Sequence, residues 1–302
     1  MIKFKIPKRI GKFKTPRRNR IRKRSGSEIV VFAIAFVILF SVGFSYIFSF
    51  FWGALSGLKT HDEIIMTPWE WPAALHFENY ADVFRLFEVN KTGMFGMIFN
   101  SLWLVVGGSF CSVFAATMMA YAVTKYEFPG RHFLVTMNII MMTLPIIGSF
   151  PARYRLFSAL GFINSPKILL SYLGGFGSYN LFMCAFFRGI SPTYSEAAMI
   201  DGANDYVVLF KIILPLSKGM LSALLIMQAV AVWNDYDTAL VYMPKLPTLA
   251  TGVYIFETEM TFRARKDILM AATIISAIPP LLLYLIGHKA ILENVSIGGI
   301  KG

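Results

Sequence analysis

The 302-residue sequence predicts an all-α integral membrane protein with six transmembrane helices and a cytoplasmic helix-turn-helix loop between the fourth and fifth. Three observations lead there. Hydrophobic residues make up 56% of the chain and charged residues 15%, a balance suited to lipid rather than water. Several long windows contain no Asp, Glu, Lys or Arg, and a bilayer core about 30 Å thick takes about 20 such residues as helix. The net charge of +12 is concentrated at one end: the first 28 residues hold twelve Lys/Arg and one acid.

That tail, residues 1–28, is the first element. It has little aromatic content beyond Phe4 and Phe13 and runs straight into an apolar span. It therefore reads as a positive-inside flank that holds the amino terminus in the cytoplasm, not as a nucleic-acid arm. The apolar run Ile29–Leu58 is longer than a signal peptide's about 7–15-residue core, so it reads as a retained first helix. With the external loop after it, it makes up residues 29–91. That loop, Lys59–Lys91, carries six acids against three basic residues, in keeping with an outside location.

Residues 92–288 form the core. Its expected spans are Thr92–Thr124, Phe133–Ala152, Ile168–Phe187, Gly219–Asn234 and Ile268–Gly287. The short fifth span is lengthened by Ile212–Leu216, with Lys218 reaching the headgroups. Six spans return the carboxyl terminus, residues 289–302, to the cytoplasm, which fits the inner membrane of a bacterial-type cell. Ala116 and Ala120 are spaced for close helix contact, and Pro145, Pro279 and Pro280 call for neighbours that satisfy the carbonyls they free. Polar residues inside the spans are amides and hydroxyls. Asn100, Asn138, Asn180, Gln228 and Asn234 are candidates either for bonds between helices or for lining a substrate pathway.

Between spans four and five lies "EAAMIDGANDYVVLFKIILPL", Glu196 to Leu216, overlapping a loop at 191–215. Ser191 and Pro192 signal a helix start, as N-cap and first helical residue. Gly202 should break that helix, Asn204 or Asp205 should cap a second through Phe210, and Ile212–Pro215 should lead into the fifth span. Spacing alone leaves two readings open: a solvated connector, or a knob whose alanines admit a close partner while Glu196 and Asp201 face a basic one.

The pattern Glu196-Ala197-Ala198, Gly202, Ile212, Leu214-Pro215 resembles the complete EAA signature of permease subunits of binding-protein-dependent ABC importers. Asp201 and Ala203 match its common "DGA" extension. Similarity to the sugar-importing branch runs from about His76 to Gly302 and includes "FENYADVF", "NSLWLVV", "AYAVTKYEFPGR" and "DILMAATIISAIPPLLLY". The resemblance implies that Glu196, Ala197, Ala198, Asp201, Gly202, Ala203, Ile212, Leu214 and Pro215 couple the chain to a cytoplasmic ATPase dimer. It also implies a second permease chain forming a heterodimer, an extracytoplasmic solute-binding protein, and ATP and Mg held by the ATPase rather than by this chain. The terminal Lys301-Gly302 stands where the branch's tail reaches the ATPase, although His288, Glu293 and Asn294 depart from its usual residues.

Other classes find less support. No G-x-x-x-x-G-K-[ST] phosphate loop occurs, so ATP hydrolysis must come from a partner. An ion-coupled secondary transporter needs ionisable residues at mid-membrane, which the charge-free windows do not supply. Cys111 and Cys184 read as small hydrophobes, and His61, His76, His132 and His288 have no metal-ligand spacing. An enzyme would need a convergent acid/base or metal set, and Glu257 with Glu259 is the nearest approach to one.

Overall fold

The computed structural model describes residues 26–144, 148–259 and 265–295. Most of the basic tail, Pro145 and Lys301 lie outside them. The chain divides into two units, 1–51 and 52–302.

The described part of the first unit is α1 (Gly26–Ser56) up to Phe51. Its residues are apolar on every side, the mark of a helix whose solvent is lipid. Phe36, Phe40, Phe44 and Phe48 recur at the four-residue spacing that brings side chains together on one face. Their rings stack with centroids 5.9, 6.3 and 6.0 Å apart.

The second unit begins with the last residues of α1 and continues through α2 (His61–Met66) and α3 (Glu78–Leu86). Thr60 and Glu63 cap α2 reciprocally: Glu63 N–H donates to the Thr60 hydroxyl, and Thr60 N–H donates to the Glu63 carboxylate. The other Glu63 oxygen accepts from Ala73 N–H at 2.9 Å, tying down the loop beyond. These backbone donors hold the Glu63 carboxyl below its ordinary range. His76, 2.7 Å from Glu78, does the same to that residue. Lys59 is buried with no carboxylate partner among the described residues. Its ammonium donates to the carbonyls of Thr67 and Pro68 and lies 5.0 Å above the Trp52 ring.

A two-residue antiparallel ribbon follows, β1 (Glu88–Val89) paired with β2 (Thr92–Gly93). Asn90 and Lys91 turn it with positive φ of 51° and 63°, as a tight hairpin requires. The expected span from Thr92 therefore starts as ribbon, and the helix α4 runs Met94–Lys125. It is the axis of this unit.

Windows three and four are not continuous helices. α5 (Arg131–Thr143) ends inside the third, and a separate α6 (Phe150–Ala159) begins after Gly148 at φ +79°. The fourth starts as a 3-10 helix (Pro166–Tyr172) and resumes as α7 (Ser178–Gly189). Between them Gly175 and Gly177 take φ of +69° and +121°, conformations open to glycine but costly for other residues. Counting uncharged residues overlooked this glycine cluster.

The loop after α7 carries α8 (Thr193–Ile200), α9 (Asp205–Val207), a π-helical stretch (Val208–Ile213) and α10 (Leu214–Leu216). The last three run on as one helix, which bends by 72° at Ser217 into α11 (Lys218–Asn234). Then come α12 (Tyr236–Tyr242), α13 (Leu249–Glu259) and α14 (Lys266–Val295), the last continuing into the segment read as a tail. Among the described helices, α1, α4 and α14 are long and apolar enough to cross a membrane, and the bent α9–α11 pair makes a fourth if counted as one span.

α14 contains Pro279 and Pro280 yet stays helical. Pro280 has no N–H for the Ser276 carbonyl one turn back, and the Trp233 indole of α11 donates to it at 3.0 Å. The start of α14 is tied too. His61 Nδ1 accepts from Lys266 N–H at 3.0 Å, and the buried Asp267 pairs with Arg265, Nε to Oδ2 3.1 Å.

Two apolar clusters fill the unit. One joins Phe87, Met97, Leu104, Trp233, Tyr242 and Ala271. The other joins Val113 and Ala120 of α4, Met183 and Phe187 of α7, and Val208 and Ile213 of the π-helical stretch. The second cluster anchors the helical segment that follows Gly202.

Candidate functional site

The segment singled out in the sequence folds as two short helices around a tight reversal. α8 begins at Thr193 rather than Pro192, and Ser191 caps it loosely, its hydroxyl accepting from Thr193 N–H at 3.4 Å. This is a shift within the usual uncertainty of helix ends. Gly202 turns the chain at φ +85°, with Ala203 N–H closing onto the Ala198 carbonyl at 2.9 Å. Of the two expected caps it is Asn204 that acts, its side-chain oxygen accepting from Val207 N–H at 2.9 Å. Local sequence chemistry thus accounts for every turn of the knob.

Its faces differ. Glu196, Ala197, Asp201 and Gly202 are exposed, and neither carboxylate has an ion-pair partner among the described residues. Ala198 and Ala203 pack inward on the second cluster, as does Leu214. Ile212 is half-buried and Pro215 exposed. Beside the charges stand exposed apolar side chains that the sequence reading did not single out, Ile200 at 86% and Tyr206 at 75%.

The knob is firmly connected to the helices above it. Lys125, the last residue of α4, donates to the carbonyl of Ile190 at 3.1 Å, joining α4 to the start of the loop. Val208, Leu209 and Ile213 are buried against α4 and α7. Ser217, wholly buried at the bend, donates to the Ile213 carbonyl at 2.7 Å. Packed side chains, rather than a loose tether, thus join the knob to α4, α7 and α11.

The five candidate pathway amides separate into two kinds. Asn138 and Asn180 meet, amide to amide at 3.1 Å, and each also bonds backbone: Asn138 accepts from Gly177 N–H, and Asn180 donates to the Ala116 carbonyl. They fasten α5, α7 and α4 together at the break in the fourth window. Asn100 donates to the Pro247 carbonyl at 3.0 Å. Gln228 is half-buried with no hydrogen bond to the described residues, and Asn234 is exposed and bonded only within its own helix. Among the described residues no cluster of His, Cys, Asp and Glu could hold a metal ion.

A protein-family model described as the inner membrane component of binding-protein-dependent transport systems matches residues 108–296, well over half of the chain and including the whole knob. The sequence is 26% identical to the diacetylchitobiose uptake system permease protein NgcG of Streptomyces coelicolor, over 83% of this chain and 82% of that one. It is 25% identical to the sulfoquinovosyl glycerol transport system permease protein SmoH of Agrobacterium fabrum, over 83% and 87%. To the arabinooligosaccharides transport system permease protein AraQ of Halalkalibacterium halodurans it is 24% identical, over 76% and 81%. The fold is like that of a chain in a bacterial ABC transporter involved in the import of the acidic polysaccharide alginate. The TM-score is 0.70 over 88% of this chain and 98% of that one, at 20% identity. This chain belongs to the family of binding-protein-dependent transport system inner membrane components, the permease subunits of ABC importers.

Proposed function

We propose that this chain is one of two permease subunits, paired as a heterodimer, of an ATP-driven importer that carries a saccharide across the cytoplasmic membrane. The observation that carries the coupling role is the exposed, internally capped knob around Gly202, bearing Glu196 and Asp201 with no ion-pair partner among the described residues and rooted in the packing of α4, α7 and α11. Its relatives' names, permeases for diacetylchitobiose, arabinooligosaccharides and a sulfoquinovosyl glycerol, support the substrate class.

In this reading the chain crosses the membrane six times with both termini in the cytoplasm, the third and fourth crossings being built from broken segments. Glu196, Ala197, Ala198, Asp201, Gly202 and Ala203 dock in a cleft of a separate ATPase dimer, which holds ATP and Mg. Ile212, Leu214 and Pro215 form the lever between that dock and α11, and Lys301 of the tail is a further ATPase contact. When the ATPase dimer closes on ATP, the knob is pushed, and the paired permeases open outward to receive sugar from an extracytoplasmic binding protein. Hydrolysis restores the inward-facing state. Gln228 and Asn234, the two amides that no inter-helix bond engages, are the better pathway candidates of the five, with Asn100, Asn138 and Asn180 holding its walls in place.

The test is uptake into vesicles carrying the full importer. Transport should require internal ATP and persist when the proton gradient is collapsed. Uptake driven by the gradient without ATP would replace this reading with an ion-coupled secondary transporter.

A further inference from the structure

The loop after α2 holds its tryptophans outward. Trp69 and Trp71 are 72% and 71% exposed, and Ile65 and Met66, the last residues of α2, are exposed as well. The two indoles flank Trp52, with ring centroids 5.7 and 6.4 Å from it. The loop is not slack. The Lys59 ammonium donates to the Thr67 and Pro68 carbonyls, the Trp52 indole N–H donates to the Pro68 carbonyl at 3.2 Å, and Ala73 N–H donates to the Glu63 carboxylate. A backbone pinned on both sides of Trp69 and Trp71 presents the two rings outward in a fixed conformation.

The same contacts set this loop at a membrane boundary. His61, the first residue of α2, accepts from the Lys266 N–H at the start of α14, and the uncharged stretch of α14 begins two residues on, at Ile268. Apolar solvent therefore starts near the level of His61. α2 has six residues and is about 9 Å long, so Met66 stays within about 9 Å of that level whatever the tilt of the helix. Tryptophan, with an apolar body and one polar N–H, is enriched at such a boundary, whereas contiguous large apolar side chains facing water are unusual.

We propose that Trp69 and Trp71, with Ile65 and Met66, form an interfacial anchor that inserts into the headgroup–acyl boundary of the leaflet where α14 begins. Lipid is the solvent that the apolar run of α14 already requires at this level, so the patch needs no further partner to cover it. The exposed charged residues of 61–71 are Asp62 and Glu70, both acidic. Ring amphipathy rather than charge therefore holds the anchor, and anionic lipid gives it no advantage. Through the His61 bond the anchor fixes the first turn of α14 against the leaflet, whatever solute the chain carries.

The test is quenching of tryptophan emission from the full-length chain in lipid nanodiscs. The wild type is compared with the double variant Trp69→Phe, Trp71→Phe, so that the difference isolates these two rings from Trp52, Trp103 and Trp233. That difference should lose more emission to phosphatidylcholine brominated near the headgroup than to phosphatidylcholine brominated near the chain ends, and should resist iodide in the water. Adding phosphatidylglycerol should change nothing. Emission that iodide quenches and neither brominated lipid does would place the rings in water and overturn the anchor. Protection from iodide and from both lipids would hand the patch to protein and overturn it too, and quenching that appears only with phosphatidylglycerol would overturn the aromatic mode. The single variants Trp69→Phe and Trp71→Phe, compared in the same way, keep the test decisive if the pair fails to fold.

Discussion

Gly202 and Trp233 each perform a task for which their residue type is suited. At Gly202 an added Cβ would meet nothing within 4 Å, so only the backbone conformation at φ +85° resists substitution. Gly202→Ala should cost about 1–2 kcal/mol locally and slow uptake without abolishing it. Proline is held near −65° and cannot make the reversal at all, so Gly202→Pro should abolish uptake while membrane levels match wild type. Immunoblots of membranes beside labelled-sugar uptake check both, and normal uptake by the proline variant would contradict the coupling role. Trp233 is the indole donor that Pro280 makes necessary. Trp233→Phe keeps the ring in the core but leaves the Ser276 carbonyl unpaired, and should lower stability by about 1 kcal/mol, read as a fall in melting temperature in detergent.

At the scale of elements, the sequence was most legible where local chemistry decides. The serine-proline helix start, the glycine break and the asparagine cap could all be read from residue types, with ends displaced by a residue or two, whereas Ile212–Leu216, expected to lengthen the fifth span, meets α11 at a 72° bend. The third and fourth windows were misread because the absence of charge measures solvent, not continuity. Gly174, Gly175 and Gly177 were in plain view and mark the break. Burial of Lys59, the Trp233 bond to α14 and the meeting of Asn138 with Asn180 join residues far apart in the chain, and no local pattern announces them. The α2 cap should respond to pH. Glu63 is held below its ordinary pKa by Thr60 and Ala73, so the α2 cap contributes stability above about pH 4.3 that is lost as pH falls through the lowered value. Trp69, just beyond, stacks on Trp52 with ring centroids 5.7 Å apart and reports the change. Tryptophan emission should shift on acidification, and Glu63→Gln should give much of that shift at neutral pH. A variant indistinguishable from wild type at both pH values would contradict the cap.

Over the whole molecule, α4 connects the two ends that matter. Its carboxyl end meets the loop after α7 through Lys125 and the cluster around Val113 and Ala120, and its amino end holds Met97 in the other cluster and Asn100 on the Pro247 carbonyl. In the proposed importer, closure of an ATPase dimer at the knob would be passed along α4 and α11, with the Ser217 bend as fulcrum. The central claim is that the knob docks a motor. The measurement that tests it most directly is affinity purification of the tagged chain from native membranes in mild detergent, beside a Gly202→Pro control, with mass spectrometry of what co-elutes. The expected result is an ATPase and a second permease chain with the wild type, and loss of the ATPase alone with the variant. Recovery of the wild-type chain by itself, even after crosslinking, would contradict it.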